Sequence, residues 1–272
     1  MFQGVIAALV TPLSETGEVS ESGVARLLDS IRPHVDALLP NLSTGEGRWL
    51  TDRQWEDMLT ATVKHAGDLP VLAGVLRPTT ERVLERARVA ADLGAHGLVS
   101  TTPYGSGVTQ DEIHRHFAEL DARAGLPVVA YHGTEVADNC ADFETLLRIC
   151  ELPSVVGVKD SSGSSAFTRR LVEAAPGARV YAGLEHLLLE SGAVDGYVVA
   201  LANLEPALCA DLFAGRLDDP AAPLAEAVER YGLEEDDWYV RVKTALHERG
   251  VLETDRTVGT GAGSGAGGEV QG

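Results

Sequence analysis

The sequence predicts an α/β chain folded as a (β/α)8 barrel, also called a TIM barrel, with additional C-terminal helices, and three observations carry that prediction. Its 272 residues, 44% of them hydrophobic, match the size of one α/β barrel with a complete core. Eight short apolar runs recur along it, separated by longer segments with helical spacing, the signature of repeated βα units around a parallel sheet. Polar residues able to bind or react stand at the ends of those runs, where this architecture holds its sites.

Strands are expected at 5–8, 37–40, 71–75, 97–101, 128–131, 155–159, 179–182 and 197–200. The spacing predicts helices over 22–31, 52–65, 80–93, 110–124, 143–150, 165–174, 185–192 and 206–214. Pro70, Pro127 and Pro153 stand near strand starts, where a missing amide hydrogen is tolerated, and Gly94 and Gly125 follow helices as C-terminal caps. Two further helical stretches, 221–231 and 235–248, come after the eighth unit. The acidic cluster Glu234 to Asp237 suits a helix N-terminus and reads as a solvated face. The expected organisation is a catalytic barrel over 1–216, C-terminal helices packed on it over 217–256, and a disordered Gly-rich tail over 257–272.

Composition narrows the function. A formal charge of -19 opposes nucleic acid, whose binding rests on Lys and Arg neutralising phosphates, and equally opposes an anionic membrane surface. The expected partners are therefore small molecules. Cys140, Cys150 and Cys209 lack C-x-x-C spacing and read as reduced thiols. The apolar stretch at 4–10 has no basic segment before it, and no run of eighteen apolar residues occurs, so a cytoplasmic location is expected. Metal catalysis is not expected: His114 and His116 are two apart on a helix and share no face, and no H-x-x-x-H occurs.

Lys159 is the sharpest residue. It closes the run Val155-Val156-Gly157-Val158, and alternation puts it on the same face as Val155 and Gly157, towards the barrel axis. Burial disfavours an ammonium ion and frees the amine as a nucleophile towards a carbonyl. Lys64 and Lys243, the only other lysines, fall on predicted helices among polar neighbours and are expected to be solvated. Tyr131 ends the preceding strand, also points inward, and would lie about 5 Å from Lys159 by strand spacing. A phenol there can relay the protons that imine formation requires. Ser43, Thr44 and Gly45 give hydroxyls and exposed amides in a tight turn, a cradle for the carboxylate of a 2-oxo acid.

Taken together, these residues resemble the dihydrodipicolinate synthase and N-acetylneuraminate lyase family over roughly 4–250. G-V-I-A-A-L-V-T-P at 4–12, S-T-G-E at 43–46, T-P-Y at 102–104 and G-V-K-D-S-S-G at 157–163 appear in the family's order. The resemblance implies a class I aldolase, a lyase that forms a Schiff base with pyruvate. It gives the imine to Lys159, the proton relay to Tyr131, and the keto acid's carboxylate to Ser43 and Thr44. No cofactor is implied beyond the covalent lysine imine. The backbone at Val198 and the Asn203 region would line the pocket floor, Tyr104 would stand beside the site, and the chain would form a homo-oligomer, a dimer or tetramer.

Three departures point away from dihydrodipicolinate synthase itself. Leu42 replaces a loop glycine, Gly105 replaces a second aromatic after Tyr104, and no arginine follows Tyr131. His132, Glu135, Glu185, His186 and Arg48 are the groups expected to read the second substrate, an aldehyde or its adduct. The two carboxylates favour hydroxyls or an amine. The loops after strands seven and eight lack a glycine-rich anion nest, which speaks against phosphosugars. An imine-dependent dehydratase or hydrolase is the sibling alternative, and a catalytically silent relative that binds a keto acid or a partner is the alternative of another class.

Overall fold

The computed structural model describes residues 2–175 and 177–259. Eight parallel strands form its centre: β1 (Gly4–Ala8), β2 (Ala37–Leu39), β3 (Leu72–Val75), β4 (Gly97–Ser100), β5 (Val128–His132), β6 (Val155–Asp160), β7 (Arg179–Ala182) and β8 (Gly196–Val199). They run in the order β2-β1-β8-β7-β6-β5-β4-β3. An isolated parallel bridge between Leu38 and Val71 joins the two ends, with Leu38 N donating to Pro70 O at 3.0 Å and Gly74 N to Pro40 O at 2.9 Å, so the barrel closes.

Helices α1 (Glu21–Ile31), α2 (Asp52–His65), α3 (Thr80–Asp92), α4 (Gln110–Arg123), α5 (Phe143–Cys150), α6 (Ser165–Ala174) and α7 (Pro206–Phe213) surround it, followed by α8 (Ala221–Tyr231) and α9 (Trp238–Glu248). Each of the first six starts on a Ser, Thr or Asp whose side chain accepts an amide hydrogen of the first turn, and Thr51 and Thr109 form complete capping boxes. These caps pin each helix start after its strand. No helix among the described residues is long and apolar enough to cross a membrane.

Alternation along the strands divides the core in two. Ile6, Ala8, Leu39, Leu72, Val99, Val129, Tyr131, Tyr181 and Val198 pack inside the barrel. Val5, Ala7, Leu38, Ala73, Leu98, Val128, Ala130 and Val158 face the helices instead. On β6 the expected pattern needs correction: Val155 packs with the outer core and Val156 with the inner one. The cause is a register shift, because Val128 pairs with Val155 but Val129 pairs with Gly157, which leaves Val156 as an extra residue. Alternation resumes at Gly157, where an added Cβ would lie 2.6 Å from the Tyr181 ring inside the barrel, and two residues on Lys159 points inward.

The expected seventh helix, 185–192, is only a 3-10 turn over Glu185–Leu187. Lys243, expected in solvent, is fully buried on α9 and paired with Glu46. The expected tail start at Thr257 also differs: Thr257 is buried and Val258 N donates to Glu46 Oε2, so packing continues past it, while 260–272 lie outside the described residues.

Candidate active site

The C-terminal ends of the strands open into a cavity of about 470 Å³. Of the expected site residues it is lined by Lys159, Tyr131, Ser43, Thr44, Glu185 and Val198. Lys159 and Tyr131 are each 5% exposed and are register partners on β6 and β5. The Lys159 Nζ lies 3.9 Å from the centre of the Tyr131 ring. Among the described residues no oxygen accepts a hydrogen bond from that amine. It is held by packing and by the face of the Tyr131 ring.

The neighbouring Asp160 does not pair with it. Pointing to the outer face, Asp160 Oδ1 meets His132 Nδ1 at 2.9 Å and accepts from Ser162 N at 3.1 Å, while Oδ2 accepts from Thr168 Oγ1 at 2.6 Å. Burial opposes charge on this carboxyl, but the hydrogen bonds from His132, Thr168 and Ser162 prevail and hold it below its ordinary range. The expected second-substrate role of His132 is thereby corrected. Its Nε2 meets the Ala141 carbonyl at 3.1 Å and its ring stacks on Phe167 at 4.8 Å, outside the cavity.

Gly45 and Tyr104 also fall outside the cavity lining. Gly45 is a backbone junction: its carbonyl accepts from Thr11 Oγ1 at 2.6 Å, and a Cβ would lie 2.8 Å from Leu9 O. Tyr104 lies beneath the Arg48 guanidinium, 5.4 Å from its ring centre, with its phenol pushed up to about 12 by burial. Gly105 has φ 121, a backbone in which a second aromatic residue would be strained. Asn203, expected on the floor, is buried and braces the backbone, donating to Ala8 O at 2.7 Å and accepting from Val10 N at 3.2 Å.

Glu185 does reach the cavity, but its Oε1 accepts from Ala200 N at 2.7 Å and Leu201 N at 3.1 Å. Burial pushes its carboxyl up, against these amide bonds and the charge of Lys159. Glu135, His186 and Arg48 line the mouth as expected. Sequence reasoning missed Ser161 and the 233–239 segment. Ser161 lines the cavity two residues beyond Lys159 and its buried Oγ has no partner among the described residues. The acidic Glu234, Glu235 and Asp236 read as a solvated face, yet with Trp238 and Tyr239 they form one wall of the mouth.

The dihydrodipicolinate synthetase family model matches residues 1–257. A 4-hydroxy-tetrahydrodipicolinate synthase of Thermomicrobium roseum is 34% identical over 238 residues, 85% of this chain and 77% of that protein. One from Neisseria gonorrhoeae is 30% identical over 235 residues, 85% of this chain and 81% of the relative. Among solved structures, a chloride-inhibited dihydrodipicolinate synthase from Acinetobacter baumannii complexed with pyruvate superposes with a TM-score of 0.85 at 26% identity, covering 94% of this chain and 92% of that one. With an inward lysine on the sixth strand beside a fifth-strand tyrosine, and a match over nearly the whole length, the chain belongs to the dihydrodipicolinate synthetase family.

Proposed function

We propose that this chain is a class I, Schiff-base carbon–carbon lyase that joins pyruvate or a related 2-oxo acid to an aldehyde, or cleaves the adduct, through an imine on Lys159. The observation that carries the reading is a buried, inward lysine whose amine has no acceptor among the described residues and faces Tyr131 within one cavity. Family membership supports it, and the Acinetobacter baumannii relative was solved with pyruvate.

The chemistry follows from the groups present. The Lys159 amine attacks the C2 ketone, and the carbinolamine loses water to leave an iminium. Loss of a proton from C3 gives an enamine, whose C3 attacks the aldehyde carbon while the aldehyde oxygen takes up a proton. Water then releases the product and restores the amine. The iminium is itself the electron sink, so the reading invokes no cofactor or metal. Tyr131 moves the protons at nitrogen and oxygen. Ser43 and Thr44, which line the cavity, hold the carboxylate through hydroxyl and amide hydrogens. The acceptor is met at the mouth by Arg48, Glu135, His186 and the 233–239 segment.

The test is incubation with pyruvate and borohydride, followed by intact mass and peptide mapping. A reduced adduct confined to Lys159 and lost in Lys159→Ala is the expected result; no adduct with any of several 2-oxo acids would sink the proposal. Association into a homo-oligomer in a reducing cytoplasm belongs to the same reading. Family membership supports the association and the three unbridged cysteines suit a reducing compartment, and mass measurement by light scattering tests the association.

A further inference from the structure

We propose that the buried Glu46–Lys243 ion pair is the positioning device of the keto-acid cradle, fixing the loop that carries Ser43 and Thr44 and tying it to α9. The inference rests on the imine reading above and extends it to two residues outside the Lys159–Tyr131 pair.

The loop holds an unusual backbone. Asn41 has φ 65 and Glu46 φ 59, left-handed conformations that non-glycine residues keep only where their surroundings enforce them. Its ends are anchored: Asn41 Nδ2 donates to Trp55 O at 2.9 Å, and Arg77 Nη1 to Gly47 O at 2.9 Å. Between the anchors lie Ser43 and Thr44, facing the cavity. Glu46, itself at the edge of the cavity, ties the loop to the C-terminal part of the chain through its carboxylate. Its Oε1 accepts from Lys243 Nζ at 2.8 Å and its Oε2 from Val258 N at 2.5 Å, and both side chains of the pair are 0% exposed.

Both of those donors come from beyond the barrel. The same helix α9 meets the loop a second time, where the Tyr239 ring lies 5.8 Å from Trp49, and Trp238 and Tyr239 wall the cavity mouth. Burial lowers the Lys243 ammonium's hold on its proton, and the Glu46 charge and hydrogen bond oppose that. Two apolar side chains would fill the same space without desolvating charges. What an ion pair adds is direction: it fixes where the Glu46 backbone, and with it the cradle, sits relative to the amine. A keto acid displaced by about 1 Å loses its line of attack.

The experiment compares Glu46→Gln, Lys243→Met, Lys243→Arg and the double variant Glu46→Gln/Lys243→Met. The readouts are the pyruvate concentration giving half-maximal borohydride labelling of Lys159, the labelling at saturation, and circular dichroism. We expect folded Glu46→Gln and the double variant to need about tenfold more pyruvate while saturated labelling stays within about twofold, with Lys243→Arg restoring part of the loss. Should Lys243→Met alone fail to fold, the double variant decides, since it leaves no charge unpaired. Folded variants that label with unchanged pyruvate dependence overturn the inference and leave the imine reading standing. Absence of labelling in the unaltered chain removes both.

Discussion

The Lys159 amine meets the face of the Tyr131 ring, 3.9 Å from its centre, and not the phenol oxygen. The ring and the hydroxyl therefore have separable tasks. An aromatic face favours a cation, and both the ammonium and the iminium are cations. The hydroxyl serves the proton transfers. Tyr131→Phe keeps the face and removes the proton carrier, so turnover should fall about 10²- to 10⁴-fold while pyruvate still labels Lys159 under borohydride, at a lower rate. Tyr131→Leu should diminish both. Near-normal turnover in Tyr131→Phe would take the phenol out of the mechanism.

Gly183, at the end of β7, leaves room for the amine's stem. A Cβ there would lie 2.7 Å from Lys159 Cε, 2.3 Å from Ser161 Oγ and 3.0 Å from Asp160 O. In Gly183→Ala the flexible lysine stem has to give way, because the Asp160 carbonyl is part of the strand. Loss of labelling rate on the order of 10²-fold is expected from displacing the nucleophile. The overpacking costs about 1–3 kcal/mol in stability, measured by urea unfolding. An alanine variant that labels at the original rate would show that the stem tolerates the methyl group.

Alternation made most of this site legible. It fixed the strands and the inward direction of Tyr131, because a strand end has only two faces, and it reached Lys159 correctly only from Gly157, since the extra residue Val156 breaks the count from Val155. The same rule, carried one residue on, turns His132 and Asp160 outward together on adjacent strands, where they pair, so His132 had a signal that was not used. Lys243 had almost none. It neighbours Val242 and precedes Leu246 on the packed side of α9, and its partner Glu46 lies 197 residues away in sequence. Local pattern cannot announce a pairing of that range. The 233–239 wall failed for a related reason, since an acidic run looks alike on open solvent and on the rim of a cavity.

Asp160 should make stability depend on acid. Burial disfavours its charge, but hydrogen bonds from His132, Thr168 and Ser162 outweigh that and lower its folded value below the ordinary 3.8. A lowered carboxyl contributes stability above its unfolded value and loses it as pH falls through the folded one. Asp160→Asn should thus be less stable than the parent by about 1–3 kcal/mol near neutrality. The gap should close as the solution is acidified below 3.8. Urea unfolding of both proteins across that range checks it, and a gap independent of pH would assign the effect to shape alone.

Glu185 should behave in the opposite sense. Burial raises its carboxyl above the ordinary 4.5, against the amides of Leu201 and Ala200 and the charge of Lys159. A raised carboxyl has its full stability below the unfolded value and loses it as pH climbs through the folded value. Glu185→Gln keeps a carbonyl oxygen for the amides that now bind Oε1 and never ionises. Relative to the parent, the variant should gain stability as pH rises from 4.5, by about 1.4 kcal/mol for each unit by which folding raises the carboxyl. Paired thermal melts from acid to neutral pH measure the difference, in which titrations common to both proteins cancel. A difference that narrows with rising pH would mean that the amides and Lys159 hold the carboxylate ionised in the fold.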